Sequence, residues 1–206
     1  MQKIIVAMGV ALLWAAPPSG AQILVDFDEP TYSFAPLDGQ DGWQADKNAE
    51  ITFENCTPAG GHSLVGGWPS THALDQTYTN GVVYLSYYIY WNGDYTDGNN
   101  DPPMVFVSLT DDDGRRSHLG GRWSQGVPGV LGDFEVLSSF VDAGWYFYDT
   151  ALDLEHQSIH TEIIEVSTGE SEILEENYFA SGWGGVPEYF SKVSIFLGSE
   201  GQCDRI

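Results

Sequence analysis

The sequence predicts an all-β protein, an antiparallel β-sandwich of the jelly-roll type. Three observations predict it. Many short runs alternate apolar and polar residues with a period of two. These runs are separated by Gly, Asn, Asp and Pro, and helical periodicity is nearly absent. Because no two runs are joined by the long helical crossover that parallel strands need, the strands are expected to pair antiparallel.

The clearest predicted strand runs from Gly81 to Trp91. One set of its alternate residues is apolar and is expected to face the core, while the other set includes Tyr84, Tyr88 and Tyr90. Further strands are predicted at Ile23–Phe27, Ala49–Glu54, Met104–Thr110, Ser117–Trp123, Gly144–Tyr148, Ser158–Val166, Ser171–Glu175 and Lys192–Gly198, with a hairpin turn at Ser167–Ser171.

The segment from Met1 to Ala21 predicts a secretory signal peptide. One lysine precedes an apolar run from Ile4 to Trp14, and small residues then lead to Ala21. That run is too short for a membrane span, and no later segment approaches the roughly 20 apolar residues that a span needs. We therefore expect residues 22–206 to form one exported domain that is secreted, periplasmic or on the cell surface.

Acidic residues dominate the charge of the chain. Its 30 Asp and Glu residues against 7 Lys and Arg give a formal net charge of −23. Such a surface repels phosphate backbones and anionic lipid, so nucleic acid and membrane insertion are not expected. The charge either attracts cations or keeps the protein soluble.

The two cysteines, Cys56 and Cys203, predict a disulfide in an exported and therefore oxidising context. It would close most of the chain into one loop and contribute about 4 to 5 kcal/mol by the loop-entropy model. Two free thiols, or a bond to another chain, are the alternatives.

Tyrosines on two predicted strands indicate a glycan-binding surface. Tyr84, Tyr88 and Tyr90 share one strand face, and Tyr146 and Tyr148 alternate in the same way on a later strand. If both strands belong to one sheet, the rings form a platform on which sugar rings stack through their C–H groups. The alternative is that these rings only stabilise the sheet through cross-strand pairs.

The opening of the predicted domain resembles a known family. Leu24–Gln44 contains Asp26-Phe27-Asp28 on a strand and then the turn DGQDGW. This order is similar to the start of concanavalin A-like, laminin G-like jelly-roll domains of secreted bacterial proteins. The resemblance implies the jelly-roll fold over most of residues 22–206. It also implies a last strand that GQCDRI only begins, so the chain is expected to be truncated or to have a short last strand.

The same resemblance implies a structural calcium ion. Asp26 and Asp28 share a strand face, and Asp204 approaches them if the two ends of the domain pair. The alternative is that Asp26 and Asp28 are solvated or capping carboxylates at the rim of the sandwich. Two acidic loops, DYTDGNNDPP and TDDDG, are interpreted as turns, because the first lacks glycine at its sixth loop position and the second has adjacent aspartates.

The turn DGQDGW is itself interpreted as structural. Gly39 and Gly42 supply the positive φ angles of a tight turn, and Asp38 and Asp41 bond nearby backbone. Trp43 is expected to pack inward where the next strand starts.

Catalytic patterns are incomplete in this sequence. Glu50 and Glu54 flank Thr52, where retaining glycosidases of the jelly-roll type carry an aspartate. Residues suited to a polysaccharide lyase occur in a suggestive order without matching that family: Arg116, His118, Gln157, His160 and Tyr178. The sequence therefore favours a binding or adhesion module for carbohydrate; a polysaccharide-acting enzyme and a structural surface protein are the alternatives.

Overall fold

The computed structural model describes residues 5–7, 35–45, 49–52, 63–65, 70–91, 105–122, 128–132, 134–140, 142–176, 178–180 and 184–197. These described residues form thirteen strands and one short 3-10 turn, Gln40–Gly42. The strands are β1 (Ile5–Ala7), β2 (Glu50–Thr52), β3 (Ser63–Val65), β4 (Ser70–Tyr78), β5 (Val82–Trp91), β6 (Val105–Thr110), β7 (Leu119–Arg122), β8 (Pro128–Leu131), β9 (Glu135–Leu137), β10 (Gly144–Asp153), β11 (Ser158–Glu165), β12 (Ser171–Glu176) and β13 (Phe190–Leu197).

These strands form two antiparallel sheets. The seven-stranded sheet has the order β12-β11-β10-β5-β1-β3-β2, and the six-stranded sheet has the order β4-β13-β6-β7-β8-β9. Every strand pairing within them is antiparallel. The predicted all-β, jelly-roll type of sandwich is confirmed.

The core lies between the two sheets. Tyr87 of β5 and Tyr148 of β10 face it from the seven-stranded sheet and stack with centroids 5.0 Å apart. The Tyr148 hydroxyl donates to the carbonyl of Gly121 in the facing sheet over 2.8 Å. At one side of the sandwich, Glu172 of β12 accepts hydrogen bonds from the amide and hydroxyl of Ser139, at 2.7 and 3.0 Å. Both apolar packing and cross-sheet hydrogen bonds therefore hold the layers together.

The two sheets differ in how open their outer faces are. All five described side chains of β6, from Phe106 to Thr110, are buried, so this strand of the six-stranded sheet is covered on both faces. On β5 and β10, by contrast, buried residues alternate with residues that are partly or fully exposed. Only one face of these two strands is fully buried, and their other face is partly accessible.

The turn DGQDGW has the predicted structural role. Gly39 and Gly42 have φ angles of 81° and 80°, and the Asp38 carboxylate accepts a hydrogen bond from the amide of Ala45 over 3.0 Å. Trp43 is buried and lies against His72, with ring centroids 5.2 Å apart. The turn is therefore part of the fold framework.

Most predicted strands are found, with shifted ends. The clearest gain is β10, which continues five residues beyond Tyr148, to Asp153. Strand β4 was not predicted, because its sequence STHALDQTY lies largely exposed at the sheet edge and lacks apolar alternation. The predicted strand Ile23–Phe27 lies outside the described residues.

Three residues of the predicted signal peptide form a strand. Ile5–Ala7 pairs with β5 on one side and with β3 on the other. Removal of residues 1–21 stays a prediction. Among the described residues, no helix is long and apolar enough to cross a membrane.

Candidate functional site

Four aromatic side chains lie together on the outer face of the seven-stranded sheet, and we call them the outer platform. They come from two cross-strand pairs of β5 and β10, Tyr90 with Trp145 and Tyr88 with Phe147. The ring centroids within these pairs are 5.2 and 4.8 Å apart, and Tyr88 also meets Trp145 edge-on at 6.5 Å. The rings are thus one continuous aromatic surface on a rigid pair of strands.

The position of the outer platform follows from strand alternation. Residues of opposite parity on β5, such as Tyr87 and Ile89, point into the core, so Tyr88 and Tyr90 must point outward. Partial burial raises the pKa of Tyr88. Its hydroxyl therefore keeps its proton and can donate a hydrogen bond to a ligand.

A polar row lies beside the outer platform, and we call it the acidic row. It consists of Ser86, Asp149 and Glu162, which are opposite one another on β5, β10 and β11. The Ser86 hydroxyl donates to the Asp149 carboxylate over 2.6 Å. Residues two apart on a strand are roughly 7 Å apart, so the acidic row is about that far from Tyr88 and Phe147. Acceptors for ligand hydroxyl or amine groups therefore border the rings.

A third set of side chains continues this face. Tyr84 is 59% exposed and shares its row with His160 and Glu175. The His160 ring and the Glu175 carboxylate lie 3.1 Å apart, with 51% and 71% of their side chains exposed. Tyr84 is about 13 Å from Tyr88 along β5, so the face extends well beyond the outer platform.

The structure places the five predicted tyrosines on two different faces. Tyr84, Tyr88 and Tyr90 lie on the outer face. Tyr146 and Tyr148 are 1% and 0% exposed, and they face the core. Their expected place on the platform is wrong, because pairing sets Tyr146 opposite Ile89 and Tyr148 opposite Tyr87.

Trp145 and Phe147 take the places expected of the two tyrosines. In GWYFYD, both faces of the strand carry aromatic residues, so the presence of aromatic side chains alone does not identify the face that points outward. The rest of β10 does identify it, because Asp149 and Asp153 share the parity of Trp145 and Phe147. Two carboxylates are far better placed toward solvent than in the core.

A buried polar cluster lies between the sheets near the start of β7. The Ser117 hydroxyl and His118 Nδ1 are 2.7 Å apart, and both residues are fully buried. Desolvation lowers the pKa of His118 to about 3. His118 is therefore neutral at pH 7 and part of the core.

The residues considered for lyase chemistry are not brought together. His118 lies in the core, whereas His160 lies on the outer face of the seven-stranded sheet. The Arg116 guanidinium is over the Phe196 ring at 4.2 Å, which places it with the six-stranded sheet. Tyr178 is 56% exposed, after β12. Of the glycosidase-like pair, Glu50 begins β2 and Glu54 lies outside the described residues.

The residues expected to bind calcium and to form the disulfide lie outside the described part of the chain. These residues are Asp26, Asp28, Asp204, Cys56 and Cys203. Within the part of the chain that the structure describes, no three His, Cys, Asp or Glu side chains are grouped to hold a metal ion. The calcium ion and the disulfide stay predictions.

The loop TDDDG is a turn, as the sequence predicted. Asp111 is buried and accepts hydrogen bonds from the amides of Asp113 and Arg115, at 3.0 and 2.9 Å. Its other carboxylate oxygen is 3.3 Å from a guanidinium nitrogen of Arg115. Gly114 completes the turn with a φ of 80°.

No protein-family model and no curated protein sequence matches the chain. Solved structures similar to it include the basic winged bean lectin with Tn-antigen, at 8% identity over 79% of this chain and 85% of that one, with a TM-score of 0.47. They also include lectin II from Ulex europaeus, at 12% identity over 80% and 87% with a TM-score of 0.45. A third is the SPRY domain of human HERC1, at 18% identity over 81% and 91% with a TM-score of 0.36. Likeness at these values says nothing of ligand or activity. The two antiparallel sheets show an all-β sandwich. Membership of the concanavalin A-like, laminin G-like family and an origin among secreted bacterial proteins stay predictions.

Proposed function

We propose that this protein is a non-catalytic carbohydrate-binding module whose binding surface is the outer platform. The observation that carries the proposal is the row of four contacting rings, Tyr88, Tyr90, Trp145 and Phe147, on an accessible sheet face. An outward sheet face of a monomer is ordinarily polar, and a contiguous apolar patch there marks a binding surface.

Sugar rings suit this surface because each has an apolar C–H face and a polar rim. The C–H face stacks on the aromatic rings of the outer platform. The rim hydroxyls then meet the carboxylate of Asp149 and the hydroxyl of Tyr88, which supply an acceptor and a donor. The proposal also includes the exported location that the N-terminal sequence predicts.

Replacement of Trp145 by alanine is expected to weaken glycan binding by at least about tenfold, since stacking aromatic side chains dominate binding energy at such surfaces. A panel of soluble polysaccharides in affinity gel electrophoresis identifies a ligand, and titration calorimetry then measures Kd for each variant. Phe134→Ala is the matched control, because Phe134 is 67% exposed and lies away from the outer platform. It should leave Kd within about twofold of the original protein.

Two outcomes contradict the proposal. One is that no polysaccharide in the panel retards the protein. The other is that Phe134→Ala weakens binding as much as Trp145→Ala while both variants keep the melting temperature of the original protein.

A further inference from the structure

We propose that the outer platform prefers cationic amino-sugar polymers, whose amines are free and protonated, over neutral or acidic glycans. This inference rests on the proposed function and names the substrate class of the same face. Its basis is the charge that surrounds the rings.

Apart from His160, the charged side chains on the described part of this face are carboxylates. Asp149 and Glu162 are the carboxylates of the acidic row, and Glu175 lies one row further along. Among the described residues of β5, β10, β11 and β12 there is no lysine or arginine. The carboxylates therefore repel an anionic ligand such as a uronate polymer, and they offer a protonated amine several partners.

The spacing of the rows suits an amine carried on a stacked sugar. A sugar ring over Phe147 or Tyr88 lies roughly 7 Å from the carboxylates of the acidic row. An amine on the rim of the sugar helps to span this distance. The faces of Trp145 and Tyr88 also attract ammonium groups through their negative π-electron density. Aromatic rings and carboxylates thus favour the same ligand through two different interactions.

The charge of the whole chain acts in the same direction. A formal net charge of −23 produces a field that raises the local concentration of a polycation and lowers that of a polyanion. Three of the described cations outside this face already have partners: Lys192 is 3.1 Å from Asp112, Arg115 is 2.9 Å from Asp113, and Arg116 lies over the Phe196 ring. They do not offset the charge of the acidic row.

A basic peptide is less well suited to the face than a sugar polymer. Extended peptides gain most of their affinity on sheets from backbone hydrogen bonds to an open strand edge. The outer platform lies on β5 and β10, and β10 is hydrogen-bonded to strands on both sides, so its backbone offers no free edge to a peptide. A polysaccharide needs only side-chain stacking and hydroxyl or amine contacts.

The experiment compares four probes by titration calorimetry with the full chain: a chitosan tetramer, its fully N-acetylated counterpart, a galacturonate tetramer and tetralysine. The first two differ only in acetylation of the amine, and mildly acidic buffer keeps the free amines protonated. At low salt we expect the chitosan tetramer to bind about tenfold more tightly than the acetylated one. At about 1 M salt, where the Debye length is about 3 Å, the two tetramers should bind with nearly equal affinity.

The variant Asp149→Asn/Glu162→Gln tests the acidic row directly. Its chitosan preference, taken as the ratio of the two dissociation constants, should fall to about twofold or less. Any affinity that both tetramers lose with the Asp149 acceptor cancels in this ratio. The control Glu155→Gln/Glu188→Gln removes the same charge at exposed residues away from this row and should keep most of the preference.

Each other result overturns the inference in a recognisable way. Equal binding of both chitosan forms leaves a carbohydrate module without charge preference. Tighter binding of tetralysine than of chitosan means that the face recognises basic peptide. Tighter binding of galacturonate contradicts the charge argument, and no binding of any sugar contradicts the proposed function as well.

Discussion

Replacement of Gly120 by alanine is expected to destabilise the fold by about 3 kcal/mol, the upper part of the range for overpacked cores. A Cβ atom at this position overlaps the Tyr87 hydroxyl and lies 2.8 Å from Nε2 of His118. Neither ring has room to retreat. Tyr87 is stacked on Tyr148, and His118 is bonded to the Ser117 hydroxyl in a fully buried site.

Thermal unfolding followed by circular dichroism checks this expectation. For a domain of this size, about 3 kcal/mol corresponds to a fall in Tm of roughly 6 to 12 °C. Gly114→Asn is the control, because a Cβ there meets nothing within 4 Å and asparagine tolerates the φ of +80°. If Gly120→Ala melts as the original protein does, the packing described around β7 is incorrect.

Acid is expected to destabilise the protein through His118. The pKa of this histidine is about 3 in the folded chain because it is buried, and about 6.5 when the chain unfolds and solvates it. Between these values the unfolded chain binds a proton that the folded chain does not. The folded state therefore has its full stability from this residue above about pH 6.5. Below that pH the free energy of unfolding falls by about 1.4 kcal/mol per pH unit, to a total loss of about 5 kcal/mol near pH 3.

Urea unfolding of the original protein and of His118→Asn at several pH values isolates this effect. Asparagine keeps a polar group near Ser117 but does not titrate. The difference in unfolding free energy between the two proteins should change by roughly 3 kcal/mol between about pH 7 and pH 4. Gly114→Asn changes no titratable group and should keep the original slope. Parallel pH profiles for His118→Asn and the original protein would show that His118 is not buried as a neutral ring.

The fold class was predictable because alternation in the sequence reflects burial of one strand face. In β5 the apolar residues Leu85, Tyr87 and Ile89 alternate with a face that tolerates exposure, so the core side was clear. Edge strand β4 was not predictable in this way, since few of its side chains are buried. Its place depends on pairing with distant β13.

The candidate site was predictable only in part for a related reason. The three outward tyrosines of β5 follow from the parity of one strand. For β10 the aromatic residues fall on both faces, and only Asp149 and Asp153 reveal which set is outward. The buried state of His118 depends on its packing beside Tyr87 across the sandwich, which no local pattern encodes.

The most direct test of the central claim is a map of where a sugar binds. Nuclear magnetic resonance spectra of the labelled protein, recorded during titration with the chitosan tetramer, report each aromatic ring and indole separately. Saturable shifts at Tyr88, Tyr90, Trp145 and Phe147, with smaller ones at Asp149, are the predicted result. Shifts confined to other exposed sites such as Phe134, Tyr178 or the Gln40–Gly42 turn, with none on the outer platform, would contradict it.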